Sequence, residues 1–312
     1  MGSSRYDPKA YATYTSSTHA SGKVRASMSH TDYTATSLKS DYDPKQIKVR
    51  ESVKSDANPH PTPVIVALDV TGSMGLVVEA MRKGLGTLFE QIIEREPVSD
   101  PHVMAMAIGD MDTDRAPVQA TQFEADPVTI GKQIEDLYLE RGGGSNDHES
   151  YLGPLYFAAM RTKCDAFKEK RKGFLFTVGD EEPQDVLTKA QLEKYFGDQA
   201  REDLSAEQVI AMIERDWHYF HIIVEEGYYA RVHLSRVRDA WARLLGQRVI
   251  HLSDHDKMAE VIVSAIEVTV GRDKDTVSKS WSGDTSVVVA KAIGGLPAAK
   301  DGGTSAPGPV TL

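Results

Sequence analysis

With 312 residues the chain is longer than most single domains, yet short enough for one α/β domain with tails. Its composition, 40% apolar and 26% charged, is ordinary for a water-soluble globular protein, and no run approaches the roughly 18 to 20 apolar residues of a membrane span. Thirty-six basic against 46 acidic residues leave a net charge of −10, which disfavours a sequence-independent grip on nucleic acid.

The first residues, MGSSRYDPKAYATYTSS, contain no apolar stretch followed by a small-residue cleavage pattern, so no secretory signal is expected. Cys164 is the single cysteine, which excludes an internal disulfide and points to a reducing, cytoplasmic setting. Residues 1–62 form a Ser-, Thr- and Tyr-rich, low-complexity arm whose only Val, Leu or Ile residues are Val24, Leu38, Ile47, Val49 and Val53. That is too little to bury a core. The arm contains YDPK twice, at 6–9 and 42–45, and strand-like alternations such as AYATYT, so it is expected to extend and order against something else.

The core begins with VIVAL (64–68), an apolar strand of the kind buried on both faces of a parallel sheet. After a turn, Val77, Met81, Leu85, Leu88, Phe89 and Ile92 recur at helical spacing. HVMAMAIG (102–109) reads as a second strand and residues 118–123 as a third. The short acidic loop DMDTDRAP joins them, which suits an antiparallel neighbour. A helix over 127–139 follows, then the loop RGGGSND and a helix from about 148 to 163. GFLFTV (173–178) is a buried strand ending at Gly179 and Asp180. Two short helices near 189–195 and 206–215 form an insertion spanning about 185–216. The strand HYFHIIV (218–224), a helix over 232–245, the strand RVIHL (248–252) and a helix over 256–270 close the domain, placed at 63–272.

The alternation predicts an α/β fold: a doubly wound, mostly parallel sheet with helices on both faces and one antiparallel edge strand. Residues 273–296, with WSGDTSVVVAKAI, are apolar enough to dock on the core, and the Gly- and Pro-rich tail 297–312 is expected to be disordered.

In such sheets ligands gather at the carboxyl ends of the strands. There the sequence places Asp69, Thr71 and Ser73 after the first strand, Ser145, Asn146 and Asp147 in the loop before the helix near 148, and Asp180 after GFLFTV. Carboxylate, hydroxyl and amide oxygens on three loops are hard ligands, suited to Mg²⁺, Mn²⁺ or Ca²⁺.

DVTGS resembles the Asp-x-Ser-x-Ser signature of the von Willebrand factor type A (vWA) domain, with Thr71 keeping the hydroxyl of the first serine. GGGSN resembles that family's glycine-rich second loop, and the strand ending in Asp180 its third. DVTGSMG, the loop through HESY and the strand end FTVGDE are also similar to a subset of single-domain proteins from bacteria and their phages. The resemblance implies a Rossmann-like fold over roughly 64–270. It also implies a metal ion-dependent adhesion site (MIDAS) on Asp69, Thr71, Ser73, Ser145 and Asp180, with Asn146 or Asp147 as alternatives to Ser145 in the second loop.

Hydroxyl ligands add no charge, so a divalent ion with one or two carboxylates seeks one more anionic oxygen, such as an acidic side chain of a partner protein. The expected function is therefore a non-enzymatic, metal-dependent protein-binding module. Its partner is an acidic protein surface, an AAA+ ATPase or an assembly subunit, with neither nucleic acid nor membrane involved. One alternative is a structural role in a larger assembly such as a phage particle, held through the arm and then virion-associated. Another is an Mg²⁺-dependent phosphohydrolase, since haloacid dehalogenase-like enzymes carry a nucleophilic aspartate at this strand end. Those enzymes usually have a second acid two residues on, where this chain has Thr71.

Plainer readings compete at several positions. Asn146 and Glu149 fit a helix capping box, and Asp180 to Glu182 fit a solvated acidic turn. Asp110, Asp112 and Asp114 alternate as in calcium loops but lack the glycine and terminal glutamate at the right offsets, so they read as solvated surface. A zinc site on His251 and His255 is disfavoured, and Cys164 reads as a buried thiol.

Overall fold

The computed structural model describes residues 35, 37–74, 84, 87–89, 91, 92, 95–138 and 148–297. Six strands form one sheet: β2 (Thr62–Asp69), β3 (Pro101–Ile108), β4 (Val118–Ala120), β7 (Gly173–Gly179), β11 (Trp217–Val224) and β12 (Val249–Leu252). Their order is β12-β11-β7-β2-β3-β4. All neighbours are parallel except β3 and β4, the antiparallel edge that the short acidic loop predicts. The sequence expectation of a mostly parallel α/β sheet with one antiparallel edge strand is what the chain adopts.

Continuous apolar runs suit these strands because both faces are covered. Alternate residues of β2 point opposite ways. Val64, Val66 and Leu68 enter one core with Phe174, Phe176, Val178 and the helix Met258–Thr269. Ile65 and Ala67 enter the other with Met104, Met106, Leu175 and the helices Leu152–Arg161 and Ala206–Glu214. Of the six core-facing residues expected in the first helix, Leu88, Phe89 and Ile92 are buried; Val77, Met81 and Leu85 lie outside the described residues.

The insertion is pinned by a two-stranded ribbon, β9 (Val186–Leu187) against β10 (Leu204–Ser205). Each of its helices starts at a capping box, Thr188 with Gln191 and Ser205 with Gln208, which fixes where the chain turns back. From the amino-terminal side, Tyr42 and Ile47 are buried and β1 (Arg50–Ser52) pairs in parallel with β6 (Thr162–Cys164). On the carboxyl-terminal side, Arg95 grips the fully buried Glu267 with two bonds of 3.0 Å. Arg272 adds a third at 2.6 Å. The Trp281 ring lies 4.1 Å beneath the Arg95 guanidinium, so the docking segment packs on this ionic knot. Among the described residues, no helix is long and apolar enough to cross a membrane.

Two expected elements shift. The helix expected from about 148 begins at Leu152, because His148–Glu149 is extended (β5) and pairs in parallel with β8 (Glu182–Pro183). The helix expected from 232 begins at Tyr228 and has a non-helical residue, His233 (φ −121°, ψ 25°). Before the kink Tyr228 and Val232 face solvent and only Ala230 is buried, so the buried apolar periodicity runs from Val237 onward.

Candidate metal centre

β2 delivers Asp69 to the carboxyl edge of the sheet fully buried, and the chain leaves through Thr71 into a single 3₁₀ turn, Gly72–Met74. The Thr71 amide and hydroxyl both donate to Asp69 Oδ1, at 2.9 and 2.6 Å. Asp69 Oδ2 accepts from the Tyr151 hydroxyl at 3.1 Å. Burial pushes the Asp69 carboxyl up to about 7, reinforced by the charge of Asp180 and partly offset by the Thr71 and Tyr151 bonds. Ser73 has its backbone in the 3₁₀ turn; its side chain is outside the described residues.

β7 delivers Asp180, also fully buried. Its Oδ2 accepts from the amides of Tyr229 at 2.9 Å and Ala230 at 3.4 Å, in the first turn of the helix Tyr228–Leu245. That helix end favours a carboxylate. The approach requires Gly227, since a β-carbon there would stand 2.3 Å from Asp180 Cβ. Glu181 is 6% exposed, and its carbonyl accepts from Trp241 Nε1 at 3.0 Å. The expectation of a solvated acidic turn is thus overturned, because pairing of β5 with β8 and the Tyr228–Leu245 helix cover it.

Ser145, Asn146 and Asp147 lie outside the described residues. The strand β5 just beyond them contributes a residue that sequence reasoning missed, Glu149. It is 3% exposed, and its Oε2 has no hydrogen-bond partner. Burial pushes its carboxyl far up, and the charges of Asp69, Glu181, Asp110 and Asp114 add to the effect. A capping role is excluded for Glu149, because it sits in a strand three residues before the helix. Pro154 carried the missed signal: proline belongs in a helix's first turn, which sets the start at about Leu152.

The acidic loop is only in part solvated surface: Asp112 is exposed, as expected, but its two neighbours in the alternation are not. Asp110 is 1% and Asp114 8% exposed. The loop is drawn inward because the Met111 amide donates to Ser150 Oγ at 2.8 Å and the Ser150 amide to the Gly109 carbonyl at 3.4 Å.

Tyr151 ties the loops together. Fully buried, it donates to Asp69 of the first loop and accepts from the Glu181 amide of the third at 3.4 Å. Its ring meets His221 and Trp241 edge-on at 5.1 and 5.2 Å, while those two stack on each other at 3.5 Å. His221 bonds Thr177 at 2.8 Å, Thr177 bonds Tyr219 at 3.0 Å, and burial holds the imidazole well below its usual range, hence neutral. Tyr151→Phe removes one donor to Asp69 and is expected to cost about 1 kcal/mol in urea unfolding. An unchanged urea midpoint would show that this hydroxyl holds nothing in place.

The donor set suits a hard divalent cation: buried carboxylates, a threonine hydroxyl, and an orphaned carboxylate oxygen awaiting a positive partner. The oxygens are not drawn in to a single ion's shell, however. Among the described residues, the one group of three acids or histidines whose ligand atoms all lie within 4.8 Å is Glu226, Asp254 and His255, beyond the ends of β11 and β12. There His255 Nδ1 lies 2.6 Å from Glu226, while His251 Nδ1 faces Glu225 at 3.5 Å, so the two histidines serve different carboxylates.

No family model and no curated protein matches the sequence. Solved structures similar to it include the pilus adhesin SpaC from Lactobacillus rhamnosus GG in its open conformation. That match has 10% identity and a TM-score of 0.45, covering 70% of this chain and 32% of the other. A von Willebrand factor type A protein from Catenulispora acidiphila gives 14% and 0.40, covering 70% and 44%. Proximal thread matrix protein 1 of the mussel byssus gives 10% and 0.42, covering 67% and 47%. The chain thus spans a third to a half of these proteins' lengths. Likenesses this faint add nothing to what the strand order already says.

Proposed function

We propose that this chain is a non-enzymatic, divalent-metal-dependent protein-binding module of the vWA type. Asp69, Thr71 and Asp180 hold Mg²⁺, or Mn²⁺ or Ca²⁺, with Ser73 and Ser145 as the further hydroxyl ligands that the sequence pattern suggests. The cation supplies an open coordination position that an acidic side chain of a partner protein can fill. The supporting observation is the buried meeting of Asp69 and Asp180 at the sheet's carboxyl edge, where Asp180 raises the Asp69 carboxyl.

The phosphohydrolase alternative draws less support. Thr71 stands where a second acid would be needed, and its hydroxyl donates to Asp69 instead of facing outward as a proton donor. Both Asp69 oxygens accept hydrogen bonds, which quiets a nucleophile.

The test is recovery of bound partners on the immobilised full chain, with Mg²⁺ or with EDTA, for the wild type and for Asp69→Ala. EDTA and the substitution are each expected to reduce a specific partner at least about tenfold. A partner retained through both treatments would overturn the metal bridge.

A further inference from the structure

We infer that Glu226, Asp254 and His255 hold a zinc ion that clips the turn after β11 to the turn after β12. The clip stands independently of the cation proposed at Asp69, and its donor set selects a different metal.

The strand register brings the three residues together. β11 and β12 run parallel with Val224 opposite Leu252, and the Glu225 amide continues the ladder by donating to the Leu252 carbonyl at 2.9 Å. Glu226 and Asp254 each lie two residues past that pair, so two carboxylates leave neighbouring strands side by side. The 3₁₀ turn His255–Lys257 follows at once. The His255 amide donates to Glu226 Oε2 at 2.7 Å, and the ring Nδ1 lies 2.6 Å from the same oxygen. One ligand atom from each of the three side chains lies within 4.8 Å of the others. Bonds of about 2.0–2.2 Å to a single ion put two donors at most about 4.4 Å apart, so closing the shell takes a shift of about half an ångström or less.

Charge points the same way. The nearby cations Arg238 and Lys291 both go to Glu225. Among the described residues no Lys or Arg pairs with Glu226 or Asp254, so two carboxylates converge with only an imidazole for company. Carboxylates sharing a site repel each other, and a divalent cation turns that repulsion into attraction. The His255 side chain is 25% exposed, which leaves an ion a way in and room for a water ligand.

One ring nitrogen and two carboxylate oxygens suit Zn²⁺, which takes three protein ligands with water in the fourth tetrahedral position. The all-oxygen set proposed at Asp69 suits Mg²⁺ instead, so the two places sort metals by donor type. His251 takes no part, since its Nδ1 faces Glu225 at 3.5 Å. The clip reaches the crest through the chain itself. Glu226 precedes Gly227, whose close approach to Asp180 lets the Tyr229 and Ala230 amides donate to that carboxylate. A zinc ion there fixes the turn from which the helix Tyr228–Leu245 starts.

The test measures Zn²⁺ affinity of the full, metal-stripped chain at neutral pH by competition with a chromophoric chelator, in excess Mg²⁺ to keep zinc from the crest. Wild type is expected to bind zinc, and His255→Ala and Glu226→Gln each to weaken it at least about tenfold. Circular dichroism confirms the fold of each variant, and Glu226→Gln carries the test should His255→Ala not fold. Asp69→Asn and His251→Ala should leave the affinity unchanged. A wild type that binds no zinc would overturn the clip. So would a folded His255→Ala or Glu226→Gln that binds as tightly as wild type. Weakening by Asp69→Asn to the same extent would place the ion at the crest, and the clip would fall while the crest cation stood.

Discussion

Stripped of divalent ions, the protein is expected to lose the stability that the raised carboxyls of Asp69 and Glu149 supply as the pH rises from about 4, where unfolded carboxyls ionise, through about 7, where Asp69 does, while the buried neutral imidazoles of His102 and His221 add stability over the same span. The sign follows from proton counting. Asp69 and Glu149 have native carboxyls raised above their unfolded values, so above about pH 4 the folded state holds protons that the unfolded chain has released. Their contribution is full below that pH and is lost on the way up. Glu149, raised further still, extends the decline to higher pH.

Glu149→Gln removes the buried group that must take up a proton to fold, while keeping the shape. In EDTA at about pH 8 it is expected to be more stable than wild type by about 2 kcal/mol, an advantage that shrinks as the pH falls toward about 4. Saturating Mg²⁺ should raise the wild-type stability at about pH 8 in the same way, since a cation replaces protons and binding to the native state alone stabilises it. Urea midpoints at four or five pH values decide the matter. Parallel pH profiles for wild type and Glu149→Gln would refute the strained acidic crest, since the buried histidines act equally in both.

The second large effect is steric. A β-carbon at Gly179 would stand 2.0 Å from the Tyr151 hydroxyl oxygen and 2.8 Å from its ring carbon Cζ. The tyrosine cannot swing away, because His221 and Trp241 pack against its ring. Gly179→Ala is therefore expected to cost about 3 kcal/mol, the upper end of ordinary overpacking. Most of that cost should vanish in a Tyr151→Ala background, leaving under about 1 kcal/mol. Additive losses in the double variant would mean that the clash is not with Tyr151.

The sheet was legible in the sequence because its strands are buried on both faces and so read as unbroken apolar runs, VIVAL and GFLFTV above all. Asp69, Thr71 and Asp180 were legible for a related reason: an apolar strand that stops in oxygen-bearing residues announces a strand end. Glu149 was not, since Asn-x-x-Glu matches a capping box and only the pairing of β5 with β8 shows the segment to be extended. In the acidic loop Asp112 is exposed as expected, but Asp110 and Asp114 were misread because charge along a chain says nothing of what folds over it. Thr177, Tyr219 and His221 looked like polar intrusions in apolar strands, and their mutual bonds appear only across neighbouring strands.

The sheet's ends set one more condition on recognition. Its long strands are interior, while the two outermost, β4 and β12, have three and four residues and are almost wholly covered. Such borders leave no room for a visiting peptide to add itself as a further strand, and they guard against pairing between copies. Strand addition at these two borders is therefore disfavoured, and the acidic partner proposed above would meet the sheet end-on, at its loops.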